Sequence, residues 1–451
     1  MTEHRNADHL SREEHVDLTT GDGAKRSLMI GWDGENHEVI KTDFNGNLIV
    51  ASGGASVDAF GRNRVSNPVT LFDSKQIFDN APLLWDDQEV SGTGTTSTHS
   101  VAEAATTIAV SATTAGKRVR QTFMRFNYQP GKSQLIMMTG VLGTGASGIT
   151  QELGYFDENN GLFFKCDDAM VYVVRRTSVT GTPVDTSVAM TDWNTDTMDG
   201  NGPSGIALDF NKTQIYIVDF EWLGVGRVRM GFVHNGSIIY CHEFMNSNVL
   251  DKVYMSKPNL PLRYSIENDG TAGADSLVHI CGTVISEGGS QELGIVRYAS
   301  TNGTHIDANT ENLIYAIIGV RLKSTHLAAA IKLQRLAIQI QTGSENGEWI
   351  LLFNPTVAGT FTYVDETNSA VQVARGATAN TVTNGTSMDG GFAQSLTGGA
   401  GSGGATETVE NAVLLGSAID GTRDEFVLCW RPTGGTNGHD IEGSMHWREF
   451  S

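Results

Sequence analysis

Apolar and polar side chains alternate along most of this chain with the two-residue period of a β-strand. The clearest stretch is 213–244, where one alternating run is followed by two apolar-rich runs that flank the pair Asn235-Gly236. Asn-Gly accepts positive φ at both central positions of a turn, so this pair predicts a tight type I′ hairpin. Three consecutive strands rich in aromatic and β-branched residues predict the centre of an antiparallel sheet.

Similar short runs recur on both sides of this stretch, separated by turns rich in glycine and asparagine. The sequence contains 52 glycines and 9 prolines, a composition that favours many short strands over packed helices. The segment 327–340 is ambiguous: its alanines and leucines favour a helix, whereas the alternation of Leu336, Ile338 and Ile340 favours a strand, which we predict. The chain is therefore predicted to be all-β, with an antiparallel β-sandwich or jelly-roll body.

Changes in composition divide the chain into four predicted regions. The N-terminal residues are polar, charged and aperiodic, which is typical of a flexible arm. The glycine-rich stretch 286–290 indicates the end of a large first domain. The predicted regions are a flexible arm at 1–26, a short β-hairpin repeat at 27–66, a main β-sandwich domain at 67–290 and a C-terminal β-rich domain at 291–451.

A short repeat lies before the main domain. The pattern D-x-x-G-x-x-x-V begins at Asp43 and again at Asp58, an offset of fifteen residues (58 − 43). Each copy places a glycine, Gly46 or Gly61, in a turn before a short strand. Because so short a hairpin has too little core to be stable alone, we expect it to dock on another subunit or on the following domain.

The charge of the chain disfavours two kinds of partner. The 51 acidic residues outnumber the 31 basic ones, and the formal net charge is −20. Such a charge opposes non-specific binding to nucleic acid phosphates and to anionic membranes. The first twenty residues lack the apolar core of a secretion signal, and the apolar-leaning run 313–322 is too short to span a bilayer. We therefore expect synthesis in a cytoplasm, and we expect no membrane insertion.

The four cysteines, Cys166, Cys241, Cys281 and Cys429, lie far apart and form no C-x-x-C pair. Each lies within an apolar run of strand-like composition. This placement predicts reduced thiols in the core rather than zinc ligands or a disulfide framework.

One loop carries candidate metal ligands. Asp192, Asn194, Asp196 and Asp199 alternate at its start, and oxygen ligands at such spacing are able to surround a calcium ion. The loop lacks the glycine and the glutamate that an EF-hand requires at fixed positions. Ca²⁺ is therefore a candidate ligand of these four side chains, with Asx-type turn caps as the alternative. No other cofactor is predicted.

Two carboxylates raise the question of glycan hydrolysis. Asp219 and Glu221 flank Phe220 in a predicted strand, so both point to one face. A glycosidase needs two carboxylates placed across the scissile bond, and sandwich glycanases carry Glu-x-Asp-x-x-Glu, whereas Ile217 stands at the first position here. The sequence also lacks G-x-S-x-G and a complete phosphate-binding loop. We predict no catalytic residues and a non-enzymatic protein.

Aromatic side chains are the remaining candidates for ligand contact. Trp193, Trp222, Tyr155 and Tyr240 would be able to stack on sugar rings if they face solvent. The alternative is that they anchor the core, and the sequence assigns a ligand contact to none of them.

Six segments of the chain carry a resemblance to a known family. They are Asp58-Ala-Phe-Gly-Arg-Asn-Arg-Val-Ser66, Leu71-Phe-Asp-Ser-Lys-Gln76, Trp85-Asp-Asp-Gln-Glu-Val90, Gly202-Pro-Ser-Gly205, Trp222-Leu-Gly-Val-Gly-Arg-Val-Arg229 and Asn259-Leu-Pro-Leu-Arg-Tyr264. These segments resemble structural proteins encoded by tailed bacteriophages, over roughly residues 40–290. The resemblance implies a virion component with no established chemistry, so no catalytic residue is carried over. The central hairpin also resembles strands of concanavalin-like jelly rolls, an analogy of fold.

The first functional hypothesis is a non-enzymatic building block of a tailed-phage particle, as a capsid decoration, a head or tail fibre, or a tail-associated protein. Its expected location is the virion, after synthesis in the host bacterial cytoplasm. Its expected partners are other virion proteins and further copies of itself in a symmetric homo-oligomer such as a trimer, with no nucleic acid. The alternatives are a virion adhesin that binds a host-surface glycan and a depolymerase of surface polysaccharide.

Overall fold

The computed structural model describes most of the chain from residue 67 onwards. The described residues are 30–32, 37–39, 58–60, 67–341, 345–395, 403–408, 413–434 and 438–450. The chain divides into two compact units, Met1–Gly54 and Ala55–Ser451. In the first unit, β1 (Ile30–Trp32) pairs antiparallel with β2 (His37–Val39). The predicted arm at 1–26 lies outside the described residues.

The first sandwich belongs to the second unit and consists of two antiparallel sheets. Its strands are β3 (Val69–Lys75), β4 (Trp85–Gly92), β5 (Thr95–Ser100), β6 (Ala105–Val110), β7 (Gly116–Thr122), β8 (Gln134–Val141), β9 (Ile149–Phe156), β10 (Gly161–Asp167), β11 (Met170–Thr177), β12 (Val184–Ala189), β13 (Gln214–Phe220), β14 (Val228–His234), β15 (Ser237–Phe244), β16 (Leu262–Asn268) and β17 (Asp275–Ser286). The seven-stranded sheet has the order β12-β11-β10-β9-β16-β7-β4. The eight-stranded sheet has the order β15-β14-β13-β8-β17-β6-β5, with β3 paired to β17. Apolar side chains from both sheets form one shared core, which defines a β-sandwich.

The predicted hairpin at the centre of the chain is confirmed. Asn235 and Gly236 have φ values of 48° and 82°, both in the left-handed region that a type I′ turn requires. His234 pairs with Ser237 across the turn. The fold therefore follows the turn chemistry at this position directly.

A polar network lies inside this sandwich, where an apolar core is the usual expectation. Arg120 on β7 is fully buried on the same side of the sheet as Tyr264, its partner on β16. Its guanidinium donates to His279 Nδ1 (3.0 Å), to Asp87 Oδ2 (3.2 Å) and to Gln76 Oε1 (2.9 Å). Burial and the neighbouring Arg120 hold the pKa of His279 well below its usual value, so the imidazole is neutral and accepts through Nδ1.

The second sandwich follows in the same unit. Its strands are β18 (Ile295–Ser300), β19 (Ile306–Ala308), β20 (Tyr315–Leu322), β21 (Ala330–Ile340), β22 (Asn346–Phe353), β23 (Thr356–Val357), β24 (Val364–Asp365), β25 (Val371–Arg375), β26 (Val382–Thr383), β27 (Thr386–Gln394), β28 (Gly403–Thr408), β29 (Glu425–Gly434) and β30 (His439–Phe450). The five-stranded sheet has the order β18-β30-β21-β28, with β19 paired to β30. The six-stranded sheet has the order β24-β25-β20-β29-β22-β27, and β23 pairs with β26 separately. The core between the sheets is built around Trp430 and Trp447.

The ambiguous segment 327–340 forms a strand over 330–340, as predicted. Leu336, Ile338 and Ile340 are buried in the second core, so their two-residue period decides the structure over the helix propensity of the alanines and leucines. Among the described residues the only helical element is a 3₁₀ turn at Met190–Asp192. No helix of this part of the chain has the length and apolarity needed to cross a membrane.

The prediction of core thiols is confirmed for three of the four cysteines. Cys166, Cys241 and Cys429 are buried and Cys281 is half-buried, and all four are free thiols within strands. Burial raises the pKa of the Cys166 thiol to about 11, which keeps it protonated and unreactive at neutral pH.

A connecting segment, residues 413–424, leaves the second sandwich between β28 and β29 and packs on the first. Ser417 N–H donates to the carbonyl of Phe123 (3.1 Å), and Arg125 Nη1 donates to the Ser417 carbonyl (2.9 Å) and hydroxyl (2.8 Å). Ile419 N–H donates to Asp86 Oδ2 (2.7 Å). The connecting segment thus joins the two sandwiches, because it continues into β29 of the second and forms hydrogen bonds to the first.

Asp424 at the end of this segment makes the packing sensitive to pH. Burial raises its carboxyl pKa from 3.8 to about 6, against the opposing hydrogen bond from Asn354. A raised pKa in the folded state contributes stability that is complete below about pH 3.8 and is lost as the pH rises from there through about 6. At pH 8 the ionised carboxylate is therefore a cost to the fold.

We expect Asp424→Asn to raise the free energy of unfolding by roughly 1–2 kcal/mol at pH 8, because the neutral amide replaces a buried charge. The increase should be clearly smaller at pH 4.5, which lies between the ordinary carboxyl pKa of 3.8 and the folded-state value of about 6. Urea unfolding at both pH values measures this difference. Asp420→Asn, in the exposed part of the same segment, is the control. Equal effects of Asp424→Asn at the two pH values would contradict the assignment.

Candidate functional site

The loop with the predicted calcium ligands uses its oxygens in hydrogen bonds within the loop. Asp196 is buried and accepts from the backbone N–H groups of Met198 (2.8 Å) and Ser204 (2.7 Å). Asp199 is exposed and accepts from the backbone N–H of Asn201 (2.9 Å). Hydrogen bonds from Thr197 and Asn201 lower the pKa of Asp199 to about 2. These contacts are those of Asx-type turn caps.

The other two predicted ligands, Asn194 and Asp192, do not share these contacts. Asn194 exchanges hydrogen bonds of 2.9 Å with the backbone of Glu243, and Asp192 is an exposed residue of the 3₁₀ turn. Calcium binding by Asp192, Asn194, Asp196 and Asp199 stays a prediction.

The two carboxylates considered for hydrolysis are engaged in separate contacts. Asp219 is fully buried and accepts from Arg229 Nη2 (2.5 Å) and from the hydroxyl of Tyr240 (2.8 Å). The Arg229 guanidinium also lies 4.2 Å from the centre of the Tyr240 ring. Glu221 Oε1 accepts from the backbone N–H of Arg227 (2.9 Å). A carboxylate fixed by a buried cation is suited to holding structure rather than to proton transfer.

The aromatic residues considered for sugar stacking belong to the core. Trp193, Tyr155 and Tyr240 are buried. Trp222 is half-buried, packs against the first core and donates its indole N–H to the carbonyl of Met255 (3.0 Å). The condition that they face solvent is therefore not met.

The outer face of the seven-stranded sheet carries a second aromatic group that is also closed. Phe156 and Phe163 stack with ring centres 4.3 Å apart and are fully buried. Arg176 lies 4.9 Å from the Phe163 ring centre, and Arg263 lies 5.4 Å from that of Phe156. Arg176 is fixed in turn by Asp185 (2.8 Å). The guanidinium groups of the protein itself thus occupy this face.

The outer face of the five-stranded sheet carries an exposed aromatic side chain. Tyr298 on β18, His446 on β30 and Arg335 on β21 stand opposite one another across three neighbouring strands, and we call them the Tyr298 row. The Tyr298 side chain is 67 % exposed and stacks on His446 with ring centres 5.4 Å apart and an interplanar angle of 21°. Arg335 Nη2 lies 3.2 Å from His446 Nε2. Burial and the neighbouring Arg335 lower the pKa of His446.

A second row of cations lies beside the Tyr298 row. Arg448 on β30 stands opposite Val296 and Lys332. Glu292 forms ion pairs with both Lys332 and Arg448. Arg335 forms no ion pair with a carboxylate within the described residues, whereas Lys332 and Arg448 share the single carboxylate of Glu292.

A groove between the two sandwiches begins at this sheet face. It has a volume of about 260 Å³. Its lining includes Phe126, Gln129 and Leu414 on one side and Gln291, Lys332 and Phe450 on the other. Phe450 follows His446 by four residues on β30, so the groove lies about 13 Å along the strand from the Tyr298 row.

A different surface lies at one end of the first sandwich. The loops 221–227 and 245–255 are held together by hydrogen bonds from Asn246 Nδ2 to the Gly226 carbonyl (2.5 Å) and from Tyr254 N–H to the Gly224 carbonyl (2.8 Å). Together they expose five apolar side chains, which we call the loop-pair surface. These are Leu223, Val225, Met245, Val249 and Val253.

Residues of the second repeat copy are anchored beside this surface. Arg227 donates to the carbonyl of Ala59 (2.9 Å) and to that of Asp58 (3.3 Å), and both residues are buried. Asp58 Oδ1 accepts from the Phe60 N–H (3.0 Å) in the turn that the repeat predicts. Residues 58–60 therefore contact the first sandwich, whereas the first copy at Asp43 lies outside the described residues and docking of the repeat stays a prediction.

One group of side chains in the described ranges has its ligand atoms within 4.8 Å of one another. It consists of His305, Asp307 and Asp440 at the pairing of β19 with β30. Exposed acidic groups commonly lie this close without an ion, so we assign no metal to them.

The Tyr298 row is the feature that sequence reasoning missed. The run Ile295–Ser300 has the composition of any half-buried strand, and nothing in it indicates which face is open. The one available signal is the alternation of Val296 and Tyr298 with Arg297 and Ala299, which places the aromatic and aliphatic side chains on one face.

Comparison with known proteins gives likenesses of fold only. No protein-family model matches the chain, and no curated protein sequence matches it. Similar solved structures include a β-glucanase of Bacillus licheniformis (9 % identity, 47 % of this chain and 96 % of that chain, TM-score 0.30) and the Emp47p carbohydrate recognition domain (9 %, 49 % and 98 %, 0.32). Another is the CBM2 module of the evolved Dit of Lactobacillus casei BL23 phage J-1 (8 %, 50 % and 98 %, 0.32). At these values none carries an argument about ligand or activity.

The sheets and cores define the class of the protein. The described part of the chain is an all-β protein of the antiparallel β-sandwich, jelly-roll type, as the sequence predicts. Two exposed surfaces of the described residues are the loop-pair surface of the first sandwich and the Tyr298 row of the second.

Proposed function

We propose that this protein is a non-enzymatic structural component of a tailed-bacteriophage particle that acts by protein–protein assembly. The observation that carries the proposal is the loop-pair surface. The phage assignment itself rests on the sequence segments that resemble virion proteins.

The loop-pair surface has the properties of an assembly contact. Met245 and Val249 are 57 % and 69 % exposed, and their loops are held in place by side-chain and backbone hydrogen bonds. Soluble monomers rarely expose several large apolar side chains together, because their contact with water is unfavourable. Burying them against a partner removes this cost without reordering the loops. Residues 58–60, which belong to the expected docking element, are anchored at the same end of the sandwich.

The carboxylates that the sequence offered for hydrolysis support the non-enzymatic assignment. Asp219 is held by Arg229 and Tyr240, and Glu221 accepts from the backbone of its own loop. Neither is placed as one of two carboxylates facing a shared open cleft, which glycoside hydrolysis requires.

The double substitution Met245→Ser, Val249→Ser is expected to abolish self-association of the purified protein or its incorporation into particles. Each serine removes exposed apolar area that the partner would bury, and the combined loss is about 2–4 kcal/mol of binding free energy. Light scattering of the purified chain and complementation of a phage that lacks it measure the two effects.

Val101→Ser is the matched control, because Val101 is 65 % exposed in the β5–β6 turn at the opposite edge of the eight-stranded sheet. It should assemble as the native chain does. A native protein that is a monodisperse monomer, together with particles that incorporate the double variant normally, would refute the proposal.

A second candidate function, a virion adhesin for host-surface glycans, is favoured by the exposed Tyr298 row. Binding without cleavage distinguishes this function from a polysaccharide depolymerase. Incubation with host capsule that releases no reducing ends would support an adhesin, and their release would support an enzyme.

A further inference from the structure

The Tyr298 row combines an open aromatic ring with an unneutralised guanidinium. Tyr298 presents most of its side chain to solvent, and its stacking on His446 fixes the orientation of the ring. Arg335 lies against the same imidazole, so ring and cation are held side by side by one residue. A fixed aromatic face next to a fixed guanidinium is prepared for a ligand with an apolar face and an anionic substituent.

The charges around the row indicate which class of ligand the face is able to bind. Glu292 carries one negative charge and pairs with both Lys332 and Arg448, whereas Arg335 forms no ion pair with a carboxylate within the described residues, so Arg335 is the cation most available to an anion. The whole chain carries a net charge of −20, so a dense polyanion such as nucleic acid is repelled at longer range. The face therefore suits a ligand whose negative charges are single and widely spaced.

The shape of the site favours a chain over a compact small molecule. Small-molecule sites are deep and concave, whereas the Tyr298 row lies on an open sheet face. The face leads to the groove beside Lys332 and Phe450, about 13 Å away along β30. A linear ligand is thus able to contact the row with one unit and the groove with another.

We propose that the Tyr298 row binds an acidic saccharide, with a sugar ring packed on Tyr298 and its carboxylate paired with Arg335. A pyranose ring offers a face of C–H groups that packs on an aromatic ring, and a carboxylate matches the guanidinium in geometry and charge. The inference rests on the second candidate function, glycan attachment, and assigns it a site and a substrate class.

The test uses the full chain on an array of bacterial surface polysaccharides, each acidic polymer printed beside its carboxyl-reduced form. We expect binding to at least one acidic polymer and at least tenfold weaker binding to its reduced form. Tyr298→Ala and Arg335→Ala are each expected to weaken binding at least tenfold. Both side chains are exposed, so the melting temperatures of the two variants should match that of the native chain.

Phe392→Ala is the matched control, since Phe392 is 77 % exposed on β27 in the other sheet of the same sandwich. It should bind as the native chain does. The inference is overturned if no acidic polymer binds, if the reduced forms bind equally well, or if the variants at Tyr298 and Arg335 bind normally.

Failure of this inference is distinguishable from failure of the assembly proposal. The variants at Tyr298 and Arg335 should still incorporate into particles, because the loop-pair surface lies in the other sandwich. Normal incorporation without any saccharide binding would remove the site and leave the structural role intact.

Discussion

Replacing Arg120 with leucine is expected to lower the free energy of unfolding by about 3–5 kcal/mol, since removal of one member of a buried polar network leaves the others unsatisfied. The acceptors that lose a donor are His279 Nδ1, the carbonyl of Asn80 and Gln76 Oε1, of which the last keeps the hydrogen bond from the Thr106 hydroxyl. Leucine supplies no replacement donor, and His279 is fully buried. Urea unfolding followed by tryptophan fluorescence measures the loss.

Two further variants distinguish the effect of losing the hydrogen-bond network from the effect of losing a positive charge. Arg120→Lys keeps the cation but not the planar fork, so it should recover only part of the lost stability. Lys75→Leu removes an exposed cation and its 3.4 Å ion pair with Asp73 in the same sandwich, at an expected cost below about 1 kcal/mol. If Arg120→Leu were as stable as the native chain, the network would not stabilise the fold.

This network shows where sequence reasoning stops. The alternation around β7 is visible in the sequence, and it places Arg120 on one face with Thr122 and Met124. Which face is buried depends on partners far along the chain, and His279 lies 159 residues away. No local pattern around Arg120 indicates that its acceptors lie on β17 and in the loop after β3.

Features set by neighbouring residues were predictable. The Asn235-Gly236 hairpin follows from positive φ at two consecutive positions, and the strand at 330–340 follows from its two-residue period. Surface exposure was not predictable in the same way. Trp193 and Tyr155 were candidates for ligand contact and are buried, because large aromatic side chains contribute most when removed from water. Tyr298, which is open, lies on an edge strand that only the sheet order identifies.

The placement of the open surfaces separates two tasks. The loop-pair surface belongs to the first sandwich, and the Tyr298 row belongs to the second. A protein built in this way is able to assemble through one sandwich while the other remains open to a ligand. The orientation of one surface relative to the other then depends on the connecting segment 413–424, which joins the two sandwiches.

Replacing Gly416 with valine is expected to detach this segment from the first sandwich, at a cost of about 3 kcal/mol. A Cβ atom at Gly416 would lie 2.1 Å from the Phe123 carbonyl oxygen and 2.5 Å from its carbon. Both atoms are backbone, so no side-chain rotation relieves the overlap. The hydrogen bond from Ser417 to the same carbonyl and those from Arg125 to Ser417 would be lost with the contact.

Calorimetry and small-angle scattering distinguish detachment from general unfolding. If the segment couples the sandwiches, Gly416→Val should convert a joint transition into two separate ones and increase the radius of gyration, while both cores remain folded. Gly434→Val is the control, because no atom lies within 4 Å of its Cβ position. A native-like single transition in Gly416→Val would mean that the sandwiches are held by other contacts. The hydrogen bond from Asn259 to the carbonyl of Ala328 would then be the next contact to remove.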